Sequence, residues 1–474
     1  MKNITVRDIL KVTSGHLIGK INDDYREELL NYSIEELEVD SRKVKENTLF
    51  VAIPGENVDP HKFVPQAAGN TKAILVEQEE DTIRAKADVD FLPDNIAYIK
   101  VDNTLDALQK IGGYVRSQYQ GKVIGVTGSV GKTTTREMIT TALRSNAPTF
   151  STDGNMNSQI GVALTLSHIM DKSTDYAVIE MGISEPGGMD KLTAMAKPDL
   201  AAVTIIGSAH IEFLKSKEGI RDEKLRITGR MKEDGVVFLN ADDPLLFAIK
   251  DSLSVKAYTY GTRADADYVA ENIRFENGFN SYTFVHGDKR VLVNLSALGK
   301  HNVLNSLVAM AVCDHLGLDL SKAASSFENF QGLRQKVLGS EKGFTIIDDS
   351  YNASTDSMKA AINVLKDISV TGRRVAVLGD MFELGPDSAL FHKEVGEYIN
   401  TLRLGDGKPA LDMLVTIGDT SKNISDAINC IPTVHFTDRK EAVKYIKDYL
   451  KPGDVITFKA SNGMKFWELI EEIK

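Results

Sequence analysis

Gly125-Val126-Thr127-Gly128-Ser129-Val130-Gly131-Lys132-Thr133-Thr134-Thr135 decides the fold of the chain around it. The apolar pair Val123-Ile124 precedes it and an amphipathic segment, Arg136 to Leu143, follows, so the stretch predicts strand, glycine loop and helix. Such a loop turns successive backbone N–H groups toward an anion, and the helix N-terminus adds the positive end of its dipole. Thr127, Gly128, Ser129, Val130, Gly131, Lys132, Thr133 and Thr134 are therefore the expected ligands of a nucleoside triphosphate. Lys132 reaches the β- and γ-phosphates, and the Thr133 hydroxyl suits Mg²⁺. The strict G-x-x-x-x-G-K-T form is not met, because Val126 stands where its first glycine belongs; Gly128-x-x-Gly131-Lys132-Thr133 is the tighter reading. An ordinary strand-to-helix turn does not account for Gly-Lys followed by three threonines.

Outward from this loop, apolar runs mark further strands. Tyr176 to Met181, Leu200 to Ile206 and Val236 to Asn240 read as buried parallel strands, whose carboxyl ends collect ligands. Residues 254–296 read as a strand-rich excursion, after which Gly299-Lys300-His301-Asn302 opens a helix. Upstream, Phe50 to Ile53 and Ala73 to Val76 are expected strands, separated by the turn-rich Pro54 to Pro60, and Asp102 to Tyr119 is an expected helix. From about residue 332 strands and helices alternate: Thr345–Ile347, Val375–Leu378, Met413–Ile417, Thr433–Phe436 and Asp454–Phe458, with a last helix from Lys465 to Ile473. This third region reads as a small Rossmann-like domain without a G-x-G-x-x-G dinucleotide signature. The expectation is an α/β protein of three domains: 1–115, a central P-loop-type ATP-binding domain at 116–331, and a Rossmann-like domain at 332–474.

Composition agrees with a soluble enzyme. The 474 residues suggest three domains at ~150 residues each. A net charge of −11 and a pI near 5.4 argue against nucleic acid as partner. The two cysteines, Cys313 and Cys430, lack metal spacing and suit a reducing cytoplasm. Met1 to Asp8 hold no apolar signal-peptide core, and no run of about 18 apolar residues exists to span a membrane.

Several polar residues end expected strands. Glu180 closes one and His210 follows the next; either is as readily a solvated terminus as a ligand, but with the phosphate loop they point to a metal site. Lys224 lies in a charged helical stretch, Glu218 to Ile227, whose composition alone makes it a surface lysine. Asp348-Asp349 and Asp380 end strands of the third region. They suggest two acidic strand ends side by side at a cleft, or a helix N-cap at the first.

Taken together, these segments resemble the Mur ligases, ATP-dependent amino-acid and peptide ligases of peptidoglycan synthesis, over nearly the whole chain. The resemblance is carried by Thr127 to Thr133, Glu180, His210 and Gly299-Lys300-His301-Asn302-Val303-Leu304-Asn305. It is carried also by Asp40-Ser41-Arg42, Gly154-Asn155-x-Asn157, Asp348 to Ala353, and Val377 to Gly385 with His392. Within the family the pattern is most similar to the last-acting member. That implies UDP-N-acetylmuramoyl-tripeptide and D-alanyl-D-alanine as substrates, ATP and Mg²⁺ as cofactors, and a cytoplasmic monomer. A paralogous ligase with a different dipeptide, depsipeptide or amino-acid acceptor is the alternative within the class; a nucleotide-gated switch is the alternative outside it. The resemblance further implies that Lys132, Lys224, His210 and Arg334 are catalytic. Thr133, Glu180, His210 and a carbamylated Lys224 would hold metal. Asn302, Arg334 and Asp349 would join the ATP site. Ser41 and Arg42 of an N-terminal UDP-substrate domain, with Asn155, Asn157, Asp349, Tyr351 and Asn352, would bind substrate. The chain departs from the family pattern at Ser208, at Arg226, at Ser354-Thr355 and at Ala460-Ser461-Asn462.

Overall fold

The computed structural model describes residues 1, 3–170, 173–276, 279–330, 332 and 336–474. Three sheets follow one another along the chain. The first contains β1 (His16–Ile18), β2 (Glu36–Glu38), β3 (Thr48–Val51), β4 (Ala73–Val76) and β5 (Ala97–Lys100), in the order β1-β5-β4-β3-β2, with only β1 antiparallel. The second contains β6 (Lys122–Thr127), β7 (Thr149–Ser151), β8 (Tyr176–Glu180), β9 (Leu200–Val203), β10 (Val236–Asn240), β11 (Lys256–Gly261), β12 (Tyr268–Glu276), β13 (Phe279–His286) and β14 (Lys289–Leu295). Its order is β14-β13-β12-β11-β10-β9-β6-β8-β7. The strands are parallel as far as β12, and an antiparallel meander completes the sheet. The third contains β15 (Lys336–Gly339), β16 (Thr345–Asp348), β17 (Arg374–Gly379), β18 (Met413–Ile417), β19 (Thr433–Phe436) and β20 (Val455–Lys459), in the order β15-β16-β20-β17-β18-β19.

The continuous apolar runs arise because both faces of the central sheet are covered. Along β6, β8 and β9 successive side chains alternate between two cores: Val123, Ile179 and Val203 enter one, Ile124, Val178 and Ala202 the other. Helices Thr104–Gln118, Gln159–Ser167 and Gly188–Ala196 cover the first face, and helices Lys132–Arg144 and His301–His315 the second. Each fully buried aliphatic side chain contributes about 1.5–3 kcal/mol, so the loop at the end of β6 stands on a rigid base. The helix Thr104–Gln118 packs on central helices, and the expected boundary at 115/116 falls inside it. Among the described residues no helix is long and apolar enough to cross a membrane.

Two expectations about the third region change. The antiparallel β15 is an addition, since Lys336-Val337-Leu338-Gly339 is too short and too exposed to carry an apolar signature. The strands ending at Asp348 and Asp380 are not neighbours, because β20 lies between β16 and β17. Asp380 instead accepts backbone N–H bonds from Asp419, Thr420 and Ser421, fixing the turn after β18. Neither Asp348 nor Asp349 caps a helix. Ser354 does, through the Ser357 N–H at 3.4 Å, at a position where the chain departs from the family pattern.

Candidate active site

The phosphate loop runs from the end of β6 into helix Lys132–Arg144. Gly128 has φ +146°, and a Cβ there would lie 1.8 Å from Thr204 Oγ1, so only glycine lets the loop close against β9. Gly131, at φ +87°, precedes the first helical residue and is crowded by Asn305 Oδ1, 3.1 Å from an added Cβ. Val126, at the missing glycine position, is a fully buried strand residue; the loop simply begins later. Lys132 Nζ folds over the loop, donating to the carbonyls of Gly128 at 2.8 Å and Ser129 at 3.3 Å. The buried hydroxyls of Thr127, Ser129 and Ser208 have no hydrogen-bond partner among the described residues, leaving donors for a ligand beside the loop.

Sheet order explains the next shell. β8 pairs with β6, so Glu180 at its end lies against the loop. Glu180 is fully buried. Its Oε1 accepts from Thr133 Oγ1 at 3.1 Å and from Asn157 Nδ2 at 2.7 Å, and its Oε2 lies 3.6 Å from the Arg136 guanidinium. The structure thus brings together Thr133, Glu180 and Asn157, and adds Arg136.

Lys224 overturns its sequence reading. It is 0 % exposed, on helix Lys217–Leu225, and its Nζ has no hydrogen-bond partner among the described residues. The helix buries Lys224 together with Ile220, Glu223 and Leu225 while Asp222 and Arg226 face outward, a burial that charge composition cannot signal. Desolvation pushes the Lys224 amine well below the usual lysine range; the Lys132 ammonium adds to this and Glu223 opposes it.

His210 meets a residue of the third region: its Nδ1 lies 2.6 Å from Glu383 Oε2. This contact holds the Glu383 carboxyl below its ordinary range. Among the described residues no three His, Cys, Asp or Glu side chains converge as a ready-made metal cluster.

Across from the loop, a cavity of about 940 Å³ opens between the central and third sheets, lined by Gly131, Thr134, Asn302, Asn305, Asp349 and Lys459 among others. Asp349 is buried, and its Oδ2 receives Lys459 Nζ at 2.7 Å. Burial pushes the His301 imidazole, on the same wall, down to about 4. Asn302 donates to Leu298 O at 2.6 Å and accepts from Asn305. Asn305 closes the Gly299–Asn305 motif. It accepts from Thr135 Oγ1 at 3.0 Å and ties helix His301–His315 to the loop's own helix. Only its repeat three residues after Asn302, on one helix face, hinted at this.

The remaining expected residues lie further out. Tyr351 is partly exposed and Asn352 Oδ1 accepts from the Ala353 N–H. Asn462, at a departure from the family pattern, donates to Tyr351 O. Asn155 is exposed in the turn before Asn157. Ser41 and Arg42 sit in the first domain, where the Arg42 guanidinium forks onto Asp40 and holds that carboxyl down to about 2. Arg334 lies outside the described residues.

Residues 33–115 match the Mur ligase family catalytic domain, 126–313 the Mur ligase middle domain, and 333–462 the Mur ligase glutamate ligase domain. The UDP-N-acetylmuramoyl-tripeptide–D-alanyl-D-alanine ligase of Bacillus subtilis is 34% identical, covering 99% of this chain and 98% of its own. A crystal structure of MurF from Acinetobacter baumannii superposes with a TM-score of 0.86 at 28% identity, over 99% of this chain and 98% of that one. The MurF ligase of Thermotoga maritima in complex with ADP superposes at 0.78 and 28% identity, over 93% and 97%. With a glycine loop seated against a buried acid, a cavity shared with a third α/β domain, and all three modules matched in order, the chain belongs to the Mur ligase family.

Proposed function

We propose that this protein is an ATP-dependent ligase that joins D-alanyl-D-alanine to the terminal carboxyl of UDP-N-acetylmuramoyl-tripeptide in peptidoglycan precursor synthesis. The observation that carries this reading is the full-length similarity to ligases of that name, with the phosphate loop facing Asp349 and Lys459 of the third domain across one cavity.

The tripeptide carboxylate attacks the γ-phosphorus of ATP; a C–O–P link forms, the bond to the β-bridging oxygen breaks, and ADP leaves. The amine of the dipeptide then attacks the acyl carbon, the C–O bond breaks, and inorganic phosphate leaves as the amine loses its proton. Loop N–H groups and Lys132 hold the phosphates and offset charge that builds on the transferring oxygens. Asn302 and Asn305 fix the wall beside the nucleotide, and packing of the third domain excludes water that would hydrolyse the acyl phosphate. Ser41 and Arg42 hold the UDP-sugar end and Asn155, Asn157, Tyr351 and Asn352 the peptide end; the family resemblance assigns Arg334 to the γ-phosphate.

Thr133, Glu180, His210 and Lys224 would hold Mg²⁺, which when bound neutralises phosphate charge. The donor set fits on two observations: Glu180 Oε2 is buried with no hydrogen-bond partner among the described residues, and Lys224 Nζ is an orphaned buried amine. Carbamylation would turn that amine into an anion beside Lys132, and a neutral buried amine is the form that reacts with CO₂.

Glu180→Gln keeps both hydrogen bonds to Oε1 but removes the charge. The Mg²⁺ concentration for half-maximal rate is expected to rise at least tenfold, with little change in UDP-tripeptide KM; an unchanged Mg²⁺ titration would exclude Glu180 as a ligand. The reading as a whole is tested by ADP release with UDP-tripeptide and a panel of amines. D-Ala-D-Ala should stimulate far more than D-Ala or L-Ala-L-Ala. Without amine, hydroxylamine should trap a hydroxamate on the peptide carboxyl. No hydroxamate, or equal stimulation by single amino acids, would point to another ligase or a plain ATPase.

A further inference from the structure

Glu383 belongs to the segment after β17, where the backbone takes φ +62° at a residue other than glycine. The segment is held from both sides: the Met381 N–H donates to His392 Nε2 at 2.9 Å, and the Phe382 N–H to Ser461 Oγ at 2.8 Å. Gly385 packs on Glu212 of the central domain. His210 also has a left-handed backbone, at φ +64°, and precedes the short helix Ile211–Leu214. Two constrained backbones from two domains therefore aim their side chains at each other, and His210 Nδ1 comes to 2.6 Å from Glu383 Oε2. The pair is close enough for a hydrogen bond but not aligned as one. A turn of the imidazole about χ2, a broad and soft torsion, aligns it.

We propose that Glu383 is a positioning residue for His210: its carboxylate takes the Nδ1–H, fixes the imidazole tautomer, and leaves Nε2 as the nitrogen presented to the catalytic metal. A histidine that ligates a metal commonly donates its other ring N–H to a carboxylate, which sets the ring orientation and raises its basicity. Here the orienting group and the ligand come from different domains. His210 is in ligating posture only when the third domain is seated on the central one, so the domain that must close over the cavity also completes the metal site. The alternative is a plain interdomain ion pair, which would be weak because Glu383 is half exposed. The proposal rests on the reading of His210 as a metal ligand, and its test separates the two.

Full-length wild type, Glu383→Ala, Glu383→Gln and His210→Ala are titrated with Mn²⁺ in the presence of ADP, with affinity read by electron paramagnetic resonance. The ¹⁵N shifts of the His210 ring are recorded without Mn²⁺, and thermal melts confirm that each variant is folded. Glu383→Ala should weaken Mn²⁺ binding 10–100-fold and shift His210 from the Nδ1–H tautomer toward a mixture. Glu383→Gln, whose amide oxygen still accepts, should recover most of both. If Glu383→Ala leaves affinity and tautomer unchanged while His210→Ala weakens Mn²⁺, Glu383 is only a domain contact and the proposal is overturned. If His210→Ala itself leaves affinity unchanged, the metal-ligand reading of His210 fails, and the proposal with it. If Glu383→Ala is unfolded, Glu383→Gln carries the test: a wild-type tautomer and near wild-type affinity support the proposal, and a tautomer mixture with intact affinity overturns it.

Discussion

Lys132→Ala is expected to abolish amide formation in a protein that still folds. The Lys132 side chain is partly exposed and leans on the carbonyls of Gly128 and Ser129, both in the loop itself. Removing it leaves those oxygens to solvent, and β6, β8 and β9 keep their buried side chains, so the melting temperature should move by only a few degrees. The catalytic effect is of another size. Charge on the transferring oxygens is greatest in the transition state, and a preorganised ammonium there contributes on the order of 3 kcal/mol or more, about 10²–10³-fold in kcat or beyond. The checks are ADP release and product amide measured against thermal unfolding. Near-normal turnover by this variant would remove the phosphate-loop assignment.

The second large effect is expected at Lys224. Lys224→Arg keeps a positive charge yet should be nearly inactive, because a guanidinium is always protonated and forms no stable carbamate. Arginine at a site with 0 % exposure also carries a desolvation cost. Lys224→Met, similar in volume and uncharged, is therefore the folding control: inactive, and at least as stable as an unmodified wild type. Direct detection uses ¹³C-bicarbonate, which should give a carbamate resonance in the wild type and none in either variant. Stability supplies an independent check. The free amine has a folded-state pKa well below the unfolded lysine value near 10.5, so as pH falls below that value the unfolded chain takes the proton first and the folded state loses ground. Carbamylation removes that penalty. Bicarbonate at constant pH should raise the wild-type melting temperature and leave Lys224→Met unmoved. Full activity with a free Lys224 amine at saturating bicarbonate would refute the role.

Much of the fold was legible because its cause is local. Strands buried on both faces are written as unbroken apolar runs, and Met413–Ile417, Ala73–Val76 and Val236–Asn240 appear with the expected bounds. The apolar run Leu200 to Ile206 outlasts its strand: β9 ends at Val203, and beyond it Ile205 O accepts the Ser129 N–H of the phosphate loop at 2.8 Å. β15 was not legible, because an exposed edge strand need not be apolar.

By itself the sequence determined the chemistry of single positions: a glycine loop able to cradle phosphate, an acid at the end of the next apolar strand, and an α/β architecture repeated in three parts. Only the tertiary structure decided which of these positions meet. Strand order placed Glu180 beside Thr133 and kept Asp348 and Asp380 apart by inserting β20 between them. Helix rotation buried Lys224 among residues that read as a solvated face. Domain packing set Glu383 against His210, 173 positions away by number. The physical reason is range. Backbone propensity and burial periodicity act over a few residues and leave a mark in composition, whereas sheet order and domain contact join residues whose separation along the chain leaves no local trace.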